Sequence, residues 1–346
     1  MFHNMSNETN GNGLCGLVNM GNTCFLNTCL QCLSNVDLLR KYFLTNSWKE
    51  DVDRKRKETV FAIEFYKLIS GIWEEDGCSI KPMSFVQEFF NLISLNDLTN
   101  IRFGQHNDSS ESLNYILDWL HEALKYEIDI TYTGKPKNDL DKLMIESIKA
   151  YNKKDYSEIT KIFCGQEITQ IFRKDDTKES ISHNFQLFNV IALPINKDFN
   201  TIYDCFNKYV SNDELVGNNK YYYEKEGKKI DAYKKTTLWK LPPVLIISFK
   251  RFNNRNSKIN KKIMFPLSNL NLSKYTDGYD KTESKYDLIG IGNHIGGTVG
   301  GHYYAYCKSK DGWYEYNDSS IRKLDNNNLE QKLITGNAYF LIYKKN

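Results

Sequence analysis

A chain of 346 residues can bury a large core and has room for one to three domains. With 40% hydrophobic, 26% charged and 14% aromatic residues it has the composition of a folded soluble protein. The 46 basic and 43 acidic residues leave a formal charge of +3, which excludes the basic excess expected of a nucleic-acid binder. The longest apolar run, PPVLIISF (242–249), is a strand's length and too short to span a membrane.

Residues 1–13, MFHNMSNETNGNG, read as a loose polar tail without the apolar core of a signal peptide. The eight cysteines (15, 24, 29, 32, 78, 164, 205 and 307) are therefore expected to be reduced, and the protein cytoplasmic or nuclear. From Asn22, Leu26, Cys29, Leu30 and Leu33 share one helical face, continued by Val36, Leu39 and Phe43. Asn22 or Thr23 is placed to cap that helix. Cys29 and Cys32 lie on the apolar face with no second C-x-x-C to answer them, so they read as packing rather than as metal ligands. KEDVDRKRKE (49–58) reads as a solvated helix face. Segments 60–75, 83–95 and 108–128 are amphipathic helices by the spacing of their apolar residues.

After about residue 155 the pattern changes to strands. QEITQIFRK, FNVIALPI, PPVLIISFKRF, YDLIGIGNHI, HYYAYCKS, GWYEYND and AYFLIYKK are rich in β-branched and aromatic residues. Asp311-Gly312 reads as a hairpin turn. Helices followed by strands predict an α+β fold.

Cys24 opens the first helix, where the partial positive charge and free N–H groups of the helix start favour a thiolate nucleophile. Such a nucleophile needs a base. Of the six histidines (3, 106, 121, 183, 294 and 302), His302 follows a glycine-rich loop (296, 297, 300 and 301) and precedes Tyr303 and Tyr304. Asn317 and Asp318 follow Tyr316 and can orient the imidazole. With a two-residue turn at 311–312, strict pairing sets Asn317 opposite Tyr306, about 13 Å of strand from His302. A longer loop, a bulge or His302 lying off the ladder must close that gap.

GLVNMGNTCFLNTCLQ resembles the cysteine box of the ubiquitin-specific proteases, the papain-like deubiquitinases, and GGHYYAYCKSKDGWYEYNDS their histidine box. LPPVLIISFKRF resembles the Lys-Arg-Phe strand between them, and AYFLIYKK the closing strand. GQHNDSSESL resembles a Gln-Asp-x-x-Glu segment, with Asn107 in place of the Gln. The matches come in family order over roughly residues 14–345.

The resemblance implies a papain-like fold with a helical thumb (about 14–155) and a β palm and fingers (about 156–346), forming one catalytic domain over 14–346. It implies Cys24 as nucleophile, His302 as general base, Asn317 as third triad member with Asp318 beside it, and Asn19 as oxyanion donor. It further implies that Asp108, Glu111, Gly300, Gly301 and Tyr303 meet the tail of ubiquitin, between loops 256–266 and 294–301. Asp108 and Glu111 also read as a capping box, and both readings stand. Many relatives bind zinc in the fingers through two C-x-x-C pairs. Here IFRKDDTKES and NNKYYYEKEGKKIDAYKK carry no cysteine, so no metal and no cofactor is expected; strand pairing and aromatic packing must serve instead, with Tyr221, Tyr222 and Tyr223 as surface strand residues or as ubiquitin contacts.

The implied reaction is hydrolysis after the C-terminal Gly-Gly of ubiquitin, on lysine amines or peptides, by a monomer acting on ubiquitinated proteins. Three alternatives remain: a catalytically weak ubiquitin-binding member, a protease for another ubiquitin-like modifier, and a transglutaminase-like cysteine acyltransferase. The last would leave Asn19 and the Lys-Arg-Phe strand unexplained.

Overall fold

A computed structural model describes residues 11–132, 135–252, 257–278, 284–297 and 300–346. The expectation for residues 1–10 lies outside these, as do Asn256 and residues 298–299 of the two loops named above. Residues 11–13 are anchored. The N–H and Nδ2 of Asn12 donate to the Asp76 carboxylate at 2.7 and 2.8 Å.

The first half is helical: α1 (Cys24–Ser34), α2 (Asp37–Leu44), α3 (Trp48–Asp51), α4 (Thr59–Ile72), α5 (Met83–Leu95), α6 (Ser109–Leu124), α7 (Asp139–Asp155) and α8 (Glu158–Phe163). The short strands β1 (Gly16–Leu17) and β2 (Ser79–Ile80) pair in parallel within it. Then come β3 (Gly165–Arg173), β4 (Ser180–Phe188), β5 (Val190–Pro194), α9 (Ile202–Tyr209), β6 (Asp213–Leu215), β7 (Tyr221–Tyr223), β8 (Lys228–Ile230), β9 (Ala232–Lys240) and β10 (Val244–Lys250). The chain ends with β11 (Leu270–Asn271), β12 (Lys285–Gly296), β13 (Gly301–Ser309), β14 (Gly312–Asn317), β15 (Ser320–Lys323), α10 (Leu329–Leu333) and β16 (Ala338–Lys345).

The central sheet has the order β15-β14-β13-β12-β16-β10-β5, with β11 on β12. It is covered on both faces, so its inner strands read as unbroken apolar runs. Val244, Ile246, Phe340 and Ile342 face one core, shared with α1, α2, α4, α5, α6 and α8. The alternate residues Leu245, Ile247, Leu341 and Tyr343 face a second core closed by α9. A separate antiparallel sheet, β4-β3-β9-β6, and the β7–β8 hairpin form the finger region. Among the described residues, no helix is long and apolar enough to cross a membrane.

Three local expectations need correction. The helical repeat from Asn22 to Phe43 is broken between α1 and α2, because the N–H and Nδ2 of Asn35 both return to the Gln31 carbonyl, at 3.3 and 2.9 Å. The stretch 49–58 is not simply solvated. Glu58 is buried, and Arg56 Nη1 donates to the carbonyls of Glu122 and Lys125, each at 2.7 Å.

Nor are all cysteines reduced. The register Gly16↔Ser79 sets Cys15 opposite Cys78, and the two form a disulfide with Cα atoms 4.7 Å apart. The other six are free thiols.

Candidate active site

α1 is buried along its whole length, wedged between the helical layer and β13. Its polar residues serve the neighbouring backbone: Gln31 Nε2 donates to the Cys15 carbonyl at 2.9 Å, and Asn27 Nδ2 to the Leu17 carbonyl at 3.2 Å. Thr23 occupies the cap position without capping by its side chain. Its hydroxyl instead accepts the Met20 N–H at 2.8 Å, bending the loop that precedes Cys24. The Asn19 Oδ1 accepts the N–H groups of Gly21 and Thr23 at 3.1 and 3.0 Å, and its Nδ2 donates to Asp318 Oδ2 at 3.0 Å. An amide nitrogen has two protons, so one such bond leaves a donor for an oxyanion.

Cys24 is buried, and the N–H of Tyr303, the residue after His302, is directed at its sulfur. Burial raises the thiol pKa above its ordinary value; the Tyr303 N–H works against that, and the nearby Asp318 carboxylate reinforces it. The helix start therefore does not by itself make a resting thiolate.

His302 and Asn317 are joined by a 2.7 Å hydrogen bond between Nε2 and Oδ1. The amide oxygen can only accept, so Nε2 carries the proton and Nδ1 is left with a lone pair for a thiol proton.

The expected turn at Asp311-Gly312 is displaced by one residue. Ser309 pairs with Gly312, so Lys310 and Asp311 form the turn, and Ala305 pairs with Tyr316. That register carries Asn317 alongside Tyr304, two residues from His302 and on the same face, a diagonal neighbour within side-chain reach. No bulge is needed. Gly312, at φ 140°, begins β14 rather than ending the turn.

Asp318 follows in the left-handed region (φ 50°) at the β14–β15 turn, and its Oδ1 accepts Asn27 Nδ2 at 2.8 Å. It is thus a bracket between the Asn19 loop and α1. Asn27 was missed in the sequence; its signal was a polar residue one turn after Cys24, among the buried polar residues Thr28, Gln31 and Ser34 of the same helix.

A cleft of about 490 Å³ lies between Asp108, Glu111 and Asn114 on the α6 side and Arg251, Phe252 and Tyr339 on the sheet side. Asp108 caps α6, Oδ1 accepting the N–H groups of Ser110 and Glu111 at 2.7 and 3.1 Å, while Oδ2 accepts the Tyr339 hydroxyl. Glu111 accepts from Asn100, and burial raises its carboxyl pKa. Asn107, in the place of the expected Gln, is buried and bonds the Arg102 N–H and carbonyl, each at 2.9 Å, shaping the loop before Asp108.

Arg251 is almost fully buried. Its Nε donates to the Ala338 carbonyl at 2.6 Å, and its Nη1 to those of Ile259 and Lys261 at 2.9 Å, which locks the end of β10 to β16 and the following loop. The two glycines expected to line the channel differ. A Cβ on Gly301 would lie 2.2 Å from His294 Nε2, whereas one on Gly300 would meet open space. His294 is itself buried, its ring 4.5 Å from that of Tyr303.

In the finger region β7 pairs with β8, and cross-strand ion pairs such as Arg173–Glu226 and Lys174–Glu214 tie its edges. Cys164 lies just before β3 and Cys205 within α9. Among the described residues, one group has metal-ligand spacing: His121, Glu122 and Asp155. The Lys125 ammonium sits between its carboxylates, 2.9 Å from Glu122 and 2.8 Å from Asp155, and takes the place a cation would fill.

A buried thiol at a helix start, facing the backbone of the residue that follows a histidine bonded to an asparagine, on an α+β scaffold, matches the arrangement of a papain-like cysteine hydrolase. The chain belongs to the ubiquitin carboxyl-terminal hydrolase family, whose profile matches residues 15–343. It is 31% identical over 352 residues to the human ubiquitin carboxyl-terminal hydrolase 2, covering 98% of this chain and 56% of that protein. The bovine ubiquitin carboxyl-terminal hydrolase 2 is 30% identical over 355 residues, with the same coverage. The chain thus spans little more than half the length of these relatives. Among solved structures, the SAGA Ubp8/Sgf11/Sus1/Sgf73 deubiquitinase module bound to ubiquitin aldehyde matches with a TM-score of 0.73 at 24% identity, over 98% of this chain and 71% of that one. That likeness establishes the fold.

Proposed function

We propose that this protein is a deubiquitinating cysteine protease that cleaves the bond after the C-terminal Gly-Gly of ubiquitin on lysine amines or peptides. What supports the reading is that Cys24 meets Tyr303, the residue after His302 of the His302–Asn317 pair, and Asp318, which holds Asn19. The Tyr303 ring packs on Tyr339 of the cleft walled by Asp108 and Glu111. His302 Nδ1 removes the Cys24 proton as the sulfur attacks the glycine carbonyl. Asn19 Nδ2, held by Asp318, stabilises the oxyanion; one such donor is worth roughly 10²–10³ in rate. The imidazolium then protonates the leaving amine, and the neutral imidazole activates water to hydrolyse the thioester. Asn317 keeps the proton on Nε2 throughout.

Asp108 and Glu111 offer carboxylate oxygens to a basic tail, and the absence of a Cβ at Gly301 makes room for the buried His294 behind the loop. Residues 14–346 act as one catalytic domain, with the thumb about 14–155 and the palm and fingers about 156–346. The partners are ubiquitin and ubiquitinated proteins, met by a monomer without membrane or nucleic acid. Six free thiols accord with a cytoplasmic or nuclear setting, to which the Cys15–Cys78 disulfide is the exception.

Turnover of a fluorogenic ubiquitin C-terminal amide tests the activity. The wild type should release fluorophore and Cys24→Ala should not. Inertness of pure wild-type protein that still binds ubiquitin would replace this reading with that of a binder. Turnover confined to another ubiquitin-like modifier would reassign the substrate.

A further inference from the structure

We propose that Cys15 and Cys78 are a reversible thiol-oxidation site, distinct from the catalytic thiol, whose disulfide form sets the full rate of the Cys24 site. The two residues face each other across β1 and β2, and that bond closes a 63-residue separation at Cα atoms 4.7 Å apart, within the span a disulfide bridges. Cys15 is fully buried and Cys78 is partly exposed. The pair is therefore addressed from outside through Cys78.

The strand they anchor is two residues long and is shared with the catalytic centre. On one side the Gly16 N–H donates to the Cys78 carbonyl at 2.9 Å and the Val18 N–H to the Ile80 carbonyl at 2.8 Å. On the other, the Leu17 N–H donates to the Asp318 carbonyl at 2.9 Å, and Asn27 Nδ2 bridges the Leu17 carbonyl and the Asp318 carboxylate. Contact there is close: a Cβ at Gly16 would lie 2.4 Å from the Ser319 carbonyl oxygen. Asp318 in turn holds Asn19. A strand this short is marginal alone. The disulfide fixes its start, and with it the backbone that sets Asp318 and the oxyanion donor. Without the bond, β1 opens more often and Asn19 is less well placed.

The chemistry needs a two-electron oxidant, and glutathione disulfide supplies it. The Cys78 thiolate attacks one sulfur of glutathione disulfide and expels a glutathione thiolate. The Cys15 thiolate then attacks the Cys78 sulfur of the mixed disulfide and expels the second. Two protein thiols lose two electrons and two protons, and two glutathione thiols are formed. Reduction runs the same steps backwards, entering at Cys78.

The rate readout rests on the proposed hydrolase activity, so two readouts are needed. Wild type is equilibrated in glutathione buffers from fully reduced to strongly oxidising. Linked 15–78 peptide is quantified by mass spectrometry, and hydrogen exchange is followed at residues 16–19. Turnover of the ubiquitin amide is normalised to the Cys24 that a ubiquitin electrophile can titrate. The linked peptide should appear with oxidation. The linked form should protect residues 16–19 and show a kcat about threefold or more above the reduced form, with KM nearly unchanged. Cys15→Ser/Cys78→Ser, or Cys78→Ser alone where the double variant is unstable, should match the reduced enzyme at every glutathione ratio.

Absence of the linked peptide at all ratios overturns the site. Equal kcat per titratable Cys24 in the two forms overturns its effect on rate. No turnover in either form counts against the hydrolase reading, and the peptide and exchange data still decide the site.

Discussion

Cys24 is pulled in opposite directions. Burial and the Asp318 carboxylate oppose the thiolate and prevail over the Tyr303 N–H and the helix start, so the resting thiol titrates above its ordinary value. Alkylation of Cys24 by iodoacetamide should accordingly climb through pH 8 and past pH 9. A rate already level below pH 7 would reveal a preformed thiolate–imidazolium pair instead. Asn317 orients His302 through one accepting oxygen. Asn317→Ala should lower kcat/KM about 10–10²-fold, whereas Asn317→Asp, which also accepts, should keep or raise it. Steady-state kinetics at fixed pH separate the two. Gly301→Ala should strongly reduce turnover, because its methyl group collides with His294, while Gly300→Ala should be tolerated. Cys24, His302, Asn317 and Asn19 could be singled out in the sequence because each lies in a local motif; the structure adds the His302–Asn317 and Asn19–Asp318 hydrogen bonds. Asn27 and the disulfide could not, since both depend on residues distant in sequence meeting β1.

At the scale of elements, two buried basic side chains shape the sheet, Arg251 and His294. Arg251 saturates three carbonyls at the β10–β16 end, and burial lowers its pKa to about 10. Arg251→Ala should destabilise the fold by about 3–5 kcal/mol in urea unfolding, because it strands those carbonyls. A loss under 1 kcal/mol would mean water replaces the guanidinium. His294, in β12, is lowered to about 4, chiefly by burial, then by Lys258, His106 and His302. Unfolding returns it to near 6.5. Between these values the unfolded chain holds a proton that the folded one lacks, so stability falls as pH drops through the window. The loss from pH 7 to pH 5 should be about 1 kcal/mol after screening, and His294→Gln should lack that component.

Strands β10, β12, β13 and β16 were readable because burial on one or both faces leaves a plain apolar pattern. The β13–β14 turn was misplaced by one residue, since Asp-Gly is a strong turn signal and Lys310-Asp311 a weak one. α7, α8 and α9 went unread: in α7 the buried Met144 and Ile148 are scattered among charges, and α8 and α9, at six and eight residues, are too short to show a helical repeat although both are packed into a core.

For the whole molecule, the order helices-then-strands was enough to predict α+β. It could not show how α1 would be enclosed. That enclosure sets Cys24 against Tyr303, the residue after His302, because α1 packs on β13. The most direct measurement is covalent capture by ubiquitin carrying a C-terminal vinyl sulfone, followed by mass mapping of the adduct. The wild type should form a one-to-one adduct on Cys24, with none in Cys24→Ala and a greatly slowed reaction in His302→Ala. An adduct on a different cysteine, or labelling undiminished in Cys24→Ala, would contradict the account.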